Sequence, residues 1–246
     1  MQRVKAVVRY DGTHFSGWQV QPGKRTVQLE MERVLTKIHK GEHVPVVSSG
    51  RTDSSVHALG QVIHFDTTLA VPEEKWPKAL NQLLAADVQV TEAAFVDSSF
   101  HARFDALEKT YRYRVHLTKE RDIFRRHYVY FYPYPISVED IKRAAPHLTG
   151  THDFSSFCSS RTDVTDMVRT VHEVGVEERG DELLFTFRGS GFLYNMVRIM
   201  TGTLLEVGKG LRRPEDMPAV IEAKQRESAG NTAPGHALYL LEVRYE

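Results

Sequence analysis

The feature that most constrains this chain is an order of predicted elements that occurs twice along its 246 residues. Segments rich in β-formers and segments with apolar residues at helical spacing follow one another as strand, helix, strand, strand, helix, strand. The second half repeats that order, and no low-complexity linker separates the two. Such a repeat favours an α+β protein with two ferredoxin-like or RRM-like halves, whose mostly antiparallel sheets form a central sheet and an active-site cleft. We place the halves at residues 1–105 and 106–246.

The individual elements follow from periodicity and from capping residues. Thr26 and Ser137 can each cap a helix, and one apolar stripe at helical spacing is formed by Val27, Met31, Val34, Leu35 and Ile38. An Arg-Gly-Asp turn at 179–181 predicts a hairpin. The pattern predicts strands at 4–11, 44–48, 61–67, 88–96, 109–117, 127–132, 168–177, 182–188 and 237–245, helices at 27–38, 72–84, 137–148, 193–204 and 214–226, and loops at 12–25, 50–60 and 155–166.

Charge and cysteine content narrow the class of protein. The sequence has 32 Lys plus Arg and 32 Asp plus Glu residues, so its formal net charge is zero. A zero net charge argues against a non-specific coat protein for nucleic acid, which would be basic, but it leaves room for a local basic cleft. The one cysteine, Cys158, excludes an intrachain disulfide and a cysteine metal site, as suits a reducing cytosol. Charges interrupt the N-terminal segment and the apolar runs, so we expect a cytoplasmic protein with neither signal peptide nor membrane span.

Motifs that the sequence lacks argue against several kinds of site. The 12 histidines include no pair at i, i+4 spacing with a glutamate between them, which argues against a metal centre. The chain has no glycine loop of the P-loop type, so a nucleotide cofactor is not expected. A glycosidase normally needs two spaced carboxylates, whereas a single aspartate stands out here.

That aspartate is Asp53, which lies in a loop of small residues between two β-rich segments. Small neighbours let a ligand approach closely, and Arg51 can keep the carboxylate ionised. An ionised carboxylate is a workable nucleophile towards a sugar carbon or a ring carbon. His57 and His64 follow, and they could bind phosphate or tune the site. The alternative is that Asp53 is a turn or cap residue and Arg51 its surface partner.

A second copy of the same triplet competes with this interpretation. Arg-Thr-Asp occurs at 51–53 and again at 161–163, so local chemistry alone does not rank Asp53 above Asp163. Context favours Asp53, because two predicted strands would hold it rigidly. Asp163 lies in the longest polar loop, where a reactive group would be poorly positioned.

Three longer strings carry a resemblance to a known family. They are residues 10–28 (YDGTHFSGWQVQPGKRTVQ), 50–62 (GRTDSSVHALGQV) and 191–210 (GFLYNMVRIMTGTLLEVGKG). In this order they closely resemble the tRNA pseudouridine synthase A family, and the second string is the most specific. Shorter matches extend the resemblance over essentially the whole chain, at 100–104, 109–113, 150–154 and 233–245.

The resemblance implies an enzyme that converts uridine to pseudouridine by breaking the N-glycosidic bond, turning the ring and rejoining it through carbon. It implies substrates on the 3′ side of the tRNA anticodon arm, at tRNA positions 38, 39 and 40. No cofactor and no metal are expected. The family resemblance also implies a homodimer, with one tRNA lying across both subunits.

The resemblance assigns roles to four residues. Asp53 matches the family's catalytic aspartate, and Arg51 matches an arginine that holds the flipped nucleotide. Tyr111 matches the tyrosine that packs on the target base, and Arg198 the basic residue that pairs with the aspartate. A base must leave its stack before its glycosidic bond can be reached, and a stacking ring with an arginine can offset that cost. From the pattern alone, Tyr111 is an aromatic of a sheet and Arg198 a helix residue whose charge reaches solvent.

Two positions depart from the family pattern. The family usually has glycine where this chain has Ser55, and usually has glycine near the closing strand, where this chain has Ala237. A glycine at such positions can serve a positive φ or a close approach of RNA. Ser55 adds a side chain beside the predicted catalytic loop, so it bears on substrate range rather than on the aspartate chemistry.

A cluster of basic residues offers further RNA contacts. Arg125 and Arg126 lie between Arg121 and His127, and three tyrosines follow at 128, 130 and 132. Interleaved basic and aromatic residues suit RNA contact, and the alternative is a solvated loop followed by a strand. We take Arg125, Arg126 and His57 as candidate RNA contacts.

The leading interpretation is therefore a tRNA uridine isomerase. The alternatives are an RNA-binding ferredoxin-like module without catalysis, and a carboxylate-dependent hydrolase. The first alternative would be favoured if Ser55 blocked the substrate. Release of the uridine C5 hydrogen separates the isomerase from both alternatives.

Overall fold

The computed structural model of the chain describes residues 1–160 and 164–246, which divide into two compact units. Unit 1 comprises Met1–Leu107 and Tyr239–Glu246, and unit 2 comprises Glu108–Leu238. The division proposed from the sequence, after residue 105, differs from these units chiefly at the end of the chain. The last strand belongs with unit 1, because it pairs in parallel with a strand of that unit.

The regular elements alternate between strands and short helices. Several 3-10 turns occur as well, among them Gly12–His14, Glu73–Lys75 and Ser155–Phe157. The strands are β1 (Gln2–Tyr10), β2 (Val47–Ser48), β3 (His57–Thr67), β4 (Val88–Val96), β5 (Glu108–His116), β6 (Tyr130–Phe131), β7 (Gly150–Asp153), β8 (Val168–Arg179), β9 (Glu182–Gly189) and β10 (Leu238–Arg244). The α-helices are α1 (Val27–Ile38), α2 (Trp76–Asn81), α3 (Val138–Ala144), α4 (Met196–Gly208) and α5 (Met217–Glu222).

The sheet of unit 1 is built around β1, whose alternate residues Val4, Ala6 and Val8 are buried. Strand β1 runs antiparallel to both β4 and β3, and β2 pairs antiparallel with β3. The resulting order, β4-β1-β3-β2, is the arrangement expected of a ferredoxin-like βαββαβ unit. Helix α1 begins after Thr26, whose side chain accepts a hydrogen bond from the Leu29 amide, and it buries the predicted apolar stripe.

The sheet of unit 2 has the order β5-β9-β8-β7, with antiparallel pairing throughout this path. Strand β6 pairs in parallel with the end of β5. The core of the unit includes fully buried rings from β5 and β9, namely Tyr113, Phe185 and Phe187. Helix α4 is buried over most of its circumference, which explains why its sequence is apolar nearly all round. Both units thus confirm the α+β class with mostly antiparallel sheets.

Most predicted elements are confirmed to within a few residues, and β4 agrees at both ends. Strand β3 begins at His57 rather than at the predicted residue 61, because its first residues pair with β10 far along the chain. The helix predicted at 72–84 is divided into the turn Glu73–Lys75 and the short α2. Strand β7 was not predicted, since its four residues form an edge that only pairing with β8 defines.

The polar stretch predicted as a loop at 155–166 starts with buried structure. The turn Ser155–Phe157 places the side chains of Ser156 and Phe157 at full burial, and Ser156 accepts a hydrogen bond from the amide of Gln225. The competing aspartate, Asp163, lies outside the described residues. Among the residues that are described, no helix has the length and apolar character needed to cross a bilayer.

A buried histidine of β3 makes the stability of unit 1 dependent on pH. Burial, reinforced by the charges of Arg3 and His101, lowers the pKa of His64 from 6.5 to about 4. The unfolded chain therefore binds a proton between these pH values that the folded chain does not, so stability falls as the pH drops. We expect a loss of about 3 kcal/mol between pH 6.5 and pH 4.

Urea unfolding at a series of pH values checks this expectation. His64→Asn should flatten the slope, because its amide oxygen can still accept the Ala102 N–H that His64 Nδ1 accepts at 3.1 Å, but cannot be protonated. His14→Asn, at an exposed histidine of the same unit, should leave the slope unchanged. An equal slope in the wild type and in His64→Asn would contradict the assignment.

Candidate active site

The loop that carries Asp53 is held at its start by buried hydrogen bonds to β3. The Ser49 amide donates to the Val62 carbonyl oxygen at 2.7 Å, and Ser49 Oγ donates to Gln61 Oε1 at 2.6 Å. Gln61 Nε2 in turn donates to the Gly50 carbonyl oxygen at 2.9 Å. Ser49 and Gln61 are fully buried, so the two residues before Arg51 are fixed to the sheet.

The first loop of the chain, residues 11–25, holds the same segment from the other side. The Tyr10 hydroxyl is 2.8 Å from Thr52 Oγ1, and the Trp18 amide donates to the Thr52 carbonyl oxygen at 3.0 Å. The Ser55 amide donates to the Phe15 carbonyl oxygen at 3.2 Å. Burial raises the pKa of Tyr10 to about 12, so its hydroxyl stays neutral at working pH.

Two glycines let the first loop approach the Asp53 segment backbone to backbone. A Cβ added at Gly12 would lie 2.1 Å from the carbonyl oxygen of Val56 and 2.9 Å from the carbonyl carbon of Ser55. Gly17 has a φ of +91°, and a Cβ there would lie 2.7 Å from the carbonyl oxygen of Thr52. These contacts leave no room for a side chain, so the sequence of the first loop is tied to the position of the second.

His57 lies inside unit 1, with 2% of its surface exposed. Its Nδ1 accepts the Gly12 amide at 3.0 Å and lies 3.2 Å from Asp11 Oδ1, and its ring stacks on Tyr239 with centroids 4.7 Å apart. The geometry suits a positioning residue that joins the first loop, β3 and β10. It offers little surface for the RNA contact that the sequence suggested.

Asp53 and Arg51 occupy the part of this loop that reaches solvent. Asp53 is half-buried, and its carbonyl oxygen accepts the Val56 amide at 3.2 Å, which closes a turn directly after it. Arg51 is exposed, two residues before it. The backbone around Asp53 is held by hydrogen bonds, while its carboxylate stays half-exposed. Such a group is well placed to act on a ligand, because its loop does not have to become ordered when the reaction takes place.

The turn after Asp53 explains one departure from the family pattern. Ser55 has a φ of +64°, in the left-handed region that glycine adopts most easily. Ala237, the other departure, lies in the turn Gly235–Ala237 and is not among the described residues with positive φ. A requirement for positive φ therefore accounts for a glycine at the first position and not at the second.

Substitutions at Ser55 should follow this backbone conformation. A left-handed conformation costs an L-residue about 1–2 kcal/mol, and more when the side chain is β-branched. We expect Ser55→Val to lower the free energy of unfolding by at least about 1 kcal/mol, and Ser55→Gly to leave it equal or slightly higher. Urea unfolding of the three proteins measures this, and a valine variant as stable as the wild type would contradict the φ assignment.

Tyr111 lies on β5 in unit 2, opposite Phe187 of β9. Its side chain is 9% exposed, and the edge of its ring meets Phe192 with centroids 5.3 Å apart. One aromatic neighbour, Phe192, thus packs against this ring. A rigid ring with a small exposed part is compatible both with a core aromatic and with a surface on which a base stacks.

Arg198 lies in the first turn of α4 and is half-buried. Its Nε donates to the Ala233 carbonyl oxygen and its Nη1 to Asn195 Oδ1, both at 2.8 Å. Asn195 precedes the helix with a φ of +61°, an uncommon conformation that turns its side chain towards this arginine. Two dedicated acceptors distinguish Arg198 from a helix residue whose charge simply reaches solvent.

The two candidate RNA-binding arginines of unit 2 differ in their surroundings: Arg125 forms ion pairs, whereas Arg126 is exposed. Arg125 donates to Asp122 at 3.0 Å, to Asp181 at 2.5 Å and to Glu182 at 2.9 Å, so its charge is neutralised by the hairpin turn of β8 and β9. Arg126 is exposed and donates to the Ile123 carbonyl oxygen at 2.7 Å. Arg126 is thus the better placed of the two for contact with a phosphate.

The predicted residues fall into two sets. Asp53, Arg51 and His57 belong to unit 1, whereas Tyr111, Arg198, Arg125 and Arg126 belong to unit 2.

Sequence reasoning missed the supporting residues of the Asp53 loop. A signal for them existed, since the string at 10–28 includes Gly12, Gly17 and Trp18, but nothing in that string indicates which loop it contacts. Among the described residues, no group of three His, Cys, Asp or Glu side chains could hold a metal ion.

Comparison with known proteins places these observations in a family. The family model described as tRNA pseudouridine synthase matches residues 6–105 and 144–246. The chain is 57% identical over 246 residues to the tRNA pseudouridine synthase A of Anoxybacillus flavithermus, covering 100% of both chains. It is 55% identical over 245 residues to that of Bacillus subtilis, covering 99% of each, and 55% identical over 238 residues to that of Halalkalibacterium halodurans, covering 97% of this chain and 90% of the relative.

Proposed function

Because this chain belongs to the tRNA pseudouridine synthase family, we propose that it isomerises uridines of the tRNA anticodon arm to pseudouridine with Asp53 as the nucleophile. The isomerase activity on tRNA follows from the family match and from relatives that share more than half of the sequence over its full length. The anticodon arm as substrate and the roles of individual residues are the parts that we propose.

The observation that carries the role of Asp53 is the support of its loop. Buried hydrogen bonds from Gln61 and Tyr10, and backbone contacts with Gly12 and Gly17, fix the segment around a carboxylate that stays half-exposed. Such fixation is what a reacting group needs, because small displacements of a nucleophile cost large factors in rate.

The reaction balances without an oxidant, a reductant or a cofactor. The bond between uracil N1 and ribose C1′ breaks and a bond between C5 and C1′ forms. The C5 hydrogen leaves as a proton, and N1 gains one. If the Asp53 carboxylate attacks the sugar carbon, it displaces N1 from C1′ and is itself displaced as C5 bonds to C1′; if it adds to a ring carbon, it is eliminated after the carbon–carbon bond has formed.

Tyr111 and Arg198 are proposed to serve the same uridine. Stacking of a flipped base on an aromatic ring contributes roughly 1–3 kcal/mol, which offsets part of the cost of extrusion. The ring of Tyr111 is nearly buried and packs edge-on against Phe192, so little side-chain freedom is lost on binding. Arg198 is proposed as the cation that favours the ionised form of the aspartate, and its two fixed acceptors support that assignment. Arg51, exposed beside Asp53, would fill the space that the flipped nucleotide leaves.

Two further properties are proposed. The homodimer implied by the family resemblance stays a prediction. A cytoplasmic location is proposed because tRNA is the substrate.

Tritium release tests the proposed function directly. Transcripts of tRNA labelled with tritium at uridine C5 are incubated with the protein, alongside transcripts in which cytidine replaces the uridines of the 3′ side of the anticodon arm. We expect release from the first and none above background from the second. Tight binding without release would favour the RNA-binding module, and equal release from both would show that the anticodon arm was the wrong choice. Binding that does not weaken with salt would count against RNA as the ligand.

A further inference from the structure

We infer that Phe104, in the segment after β4, is a platform on which an unpaired base of the bound tRNA stacks, separate from the target uridine. The inference rests on the proposed function, since it assumes that RNA is the ligand. Phe104 is 75% exposed, although phenylalanine usually lies inside a protein. Single exposed apolar residues are common, so exposure alone carries nothing, and the argument depends on how this ring is held.

The ring of Phe104 is stacked on a histidine ring and stays largely exposed. The ring of His101 lies against it, with centroids 4.2 Å apart and planes inclined by 26°. Three quarters of the surface of Phe104 stays accessible beside this stack, so a ligand can reach the ring. Arg103 is exposed and its guanidinium lies over the same ring, 5.7 Å from the centroid; a base that stacks here would displace this exposed cation towards the adjoining phosphate.

The segment that presents this ring is rigid. The amides of Arg103 and Phe104 both donate to His101 Nδ1 at 3.2 Å, and the His101 amide donates to Asp105 Oδ2 at 2.7 Å. Because Nδ1 accepts twice, the hydrogen-bond network assigns the ring proton to Nε2. A preordered turn of this kind lowers the entropy cost of binding, which an exposed phenylalanine on a loose loop would not do.

The same segment is tied to the loop that carries Asp53. The Ala102 amide donates to His64 Nδ1, and the Tyr245 hydroxyl donates to the Ala102 carbonyl oxygen at 2.5 Å. That hydroxyl also lies close to Ser49, whose own contacts fix the start of the Asp53 loop. Lys5 Nζ lies 4.4 Å from the centroid of the Tyr245 ring, which adds a cation to this region. The platform and the proposed nucleophile therefore share one support within unit 1.

An unpaired base is the occupant that these features fit. Every base has a flat π-face, and a flat aromatic ring with a neighbouring arginine binds such faces with little dependence on sequence. A protein partner would need a larger apolar patch than one ring. The platform would thus anchor a loop or bulged nucleotide of the tRNA, while Asp53 acts on another.

Phe104→Ala, Phe104→Trp and Leu29→Ala test the platform with anticodon-arm RNA and with full-length tRNA. Leu29 is the matched control, an exposed apolar side chain of α1 in the same unit. For Phe104→Ala we expect a Kd raised roughly 5- to 100-fold for the RNA that contains the stacked base, and an unchanged kcat at saturation. Phe104→Trp keeps a flat aromatic ring, so it should bind RNA as tightly as the wild type does. The fluorescence of the added tryptophan should be quenched by RNA. Leu29→Ala should bind as the wild type does.

Each outcome decides the matter. An unchanged Kd for Phe104→Ala, with a wild type that binds and releases tritium, overturns the platform and leaves the proposed function standing. A changed state of association with unchanged RNA affinity assigns the ring to a protein contact and likewise overturns it. A wild type that neither binds RNA nor releases tritium overturns both proposals. A fall in kcat alone would place Phe104 in the chemistry rather than in binding.

Discussion

Replacing Asp53 with asparagine is expected to abolish tritium release from C5-labelled anticodon-arm RNA, with a fall in rate of at least about 1,000-fold. The amide has nearly the shape of the carboxylate but cannot attack carbon. Because the loop is held by its backbone and by Tyr10 and Gln61, the substitution leaves its support intact. RNA affinity should therefore stay within about threefold of the wild-type value.

The repeated triplet supplies the control for this experiment. Asp163→Asn makes the same chemical change in the same Arg-Thr-Asp context, at 161–163 instead of 51–53. We expect this variant to release tritium at the wild-type rate. If Asp163→Asn were inactive and Asp53→Asn active, the wrong aspartate would have been chosen. If both were active, a carboxylate nucleophile in either triplet would be excluded.

Gly12→Ala is expected to lower the rate of tritium release about 100-fold, although Gly12 touches no substrate in the proposed mechanism. The added methyl would lie 2.1 Å from the carbonyl oxygen of Val56, so one of the two backbones must move. Displacement of the turn that follows Asp53 would move the proposed nucleophile away from its target. The loss should appear mainly in kcat, with RNA affinity largely retained, because the rest of the binding surface is unchanged.

Gly175→Ala is the matched control, since it adds the same methyl to β8. There the nearest atom is a carboxylate oxygen of the flexible Glu173 side chain, at 3.3 Å, which can shift. Circular dichroism and urea unfolding of both variants separate a displaced loop from an unfolded protein. Release by Gly12→Ala within threefold of the wild type would show that the contact between the two loops does not set the position of Asp53.

The elements that local pattern predicts correctly are those that carry their own signals. Helix α1 has a capping threonine and an apolar stripe, and the segment of β4 is rich in residues that favour strands. Both elements were therefore predicted closely. The start of β3 and the whole of β7 depend on partners distant in sequence. Local pattern does not contain that information, because pairing with β10 or β8 is decided by the folded sheet.

The candidate site shows the same division. Local chemistry identified Asp53 as a candidate but could not separate it from Asp163, because both end an Arg-Thr-Asp triplet. The difference visible on the described part of the chain is the support around Asp53, in which Tyr10 reaches across 42 residues to Thr52. The conformation of Ser55 was likewise hidden, since serine gives no indication of a positive φ. His57 was predicted to face RNA, yet its burial is decided by Tyr239 at the other end of the sequence.

The last strand has a consequence for how this protein matures on the ribosome. N-terminal domains generally fold first during synthesis, while the remainder of the chain is still being made. Unit 1 does not follow that order, because Tyr239–Glu246 are part of it and Tyr239 stacks on His57 behind the Asp53 loop. A nascent chain that carries the entire Asp53 loop still lacks one of its supports until nearly all of unit 2 has been translated. The order of synthesis thus delays a fully supported Asp53 loop until translation has passed the last strand.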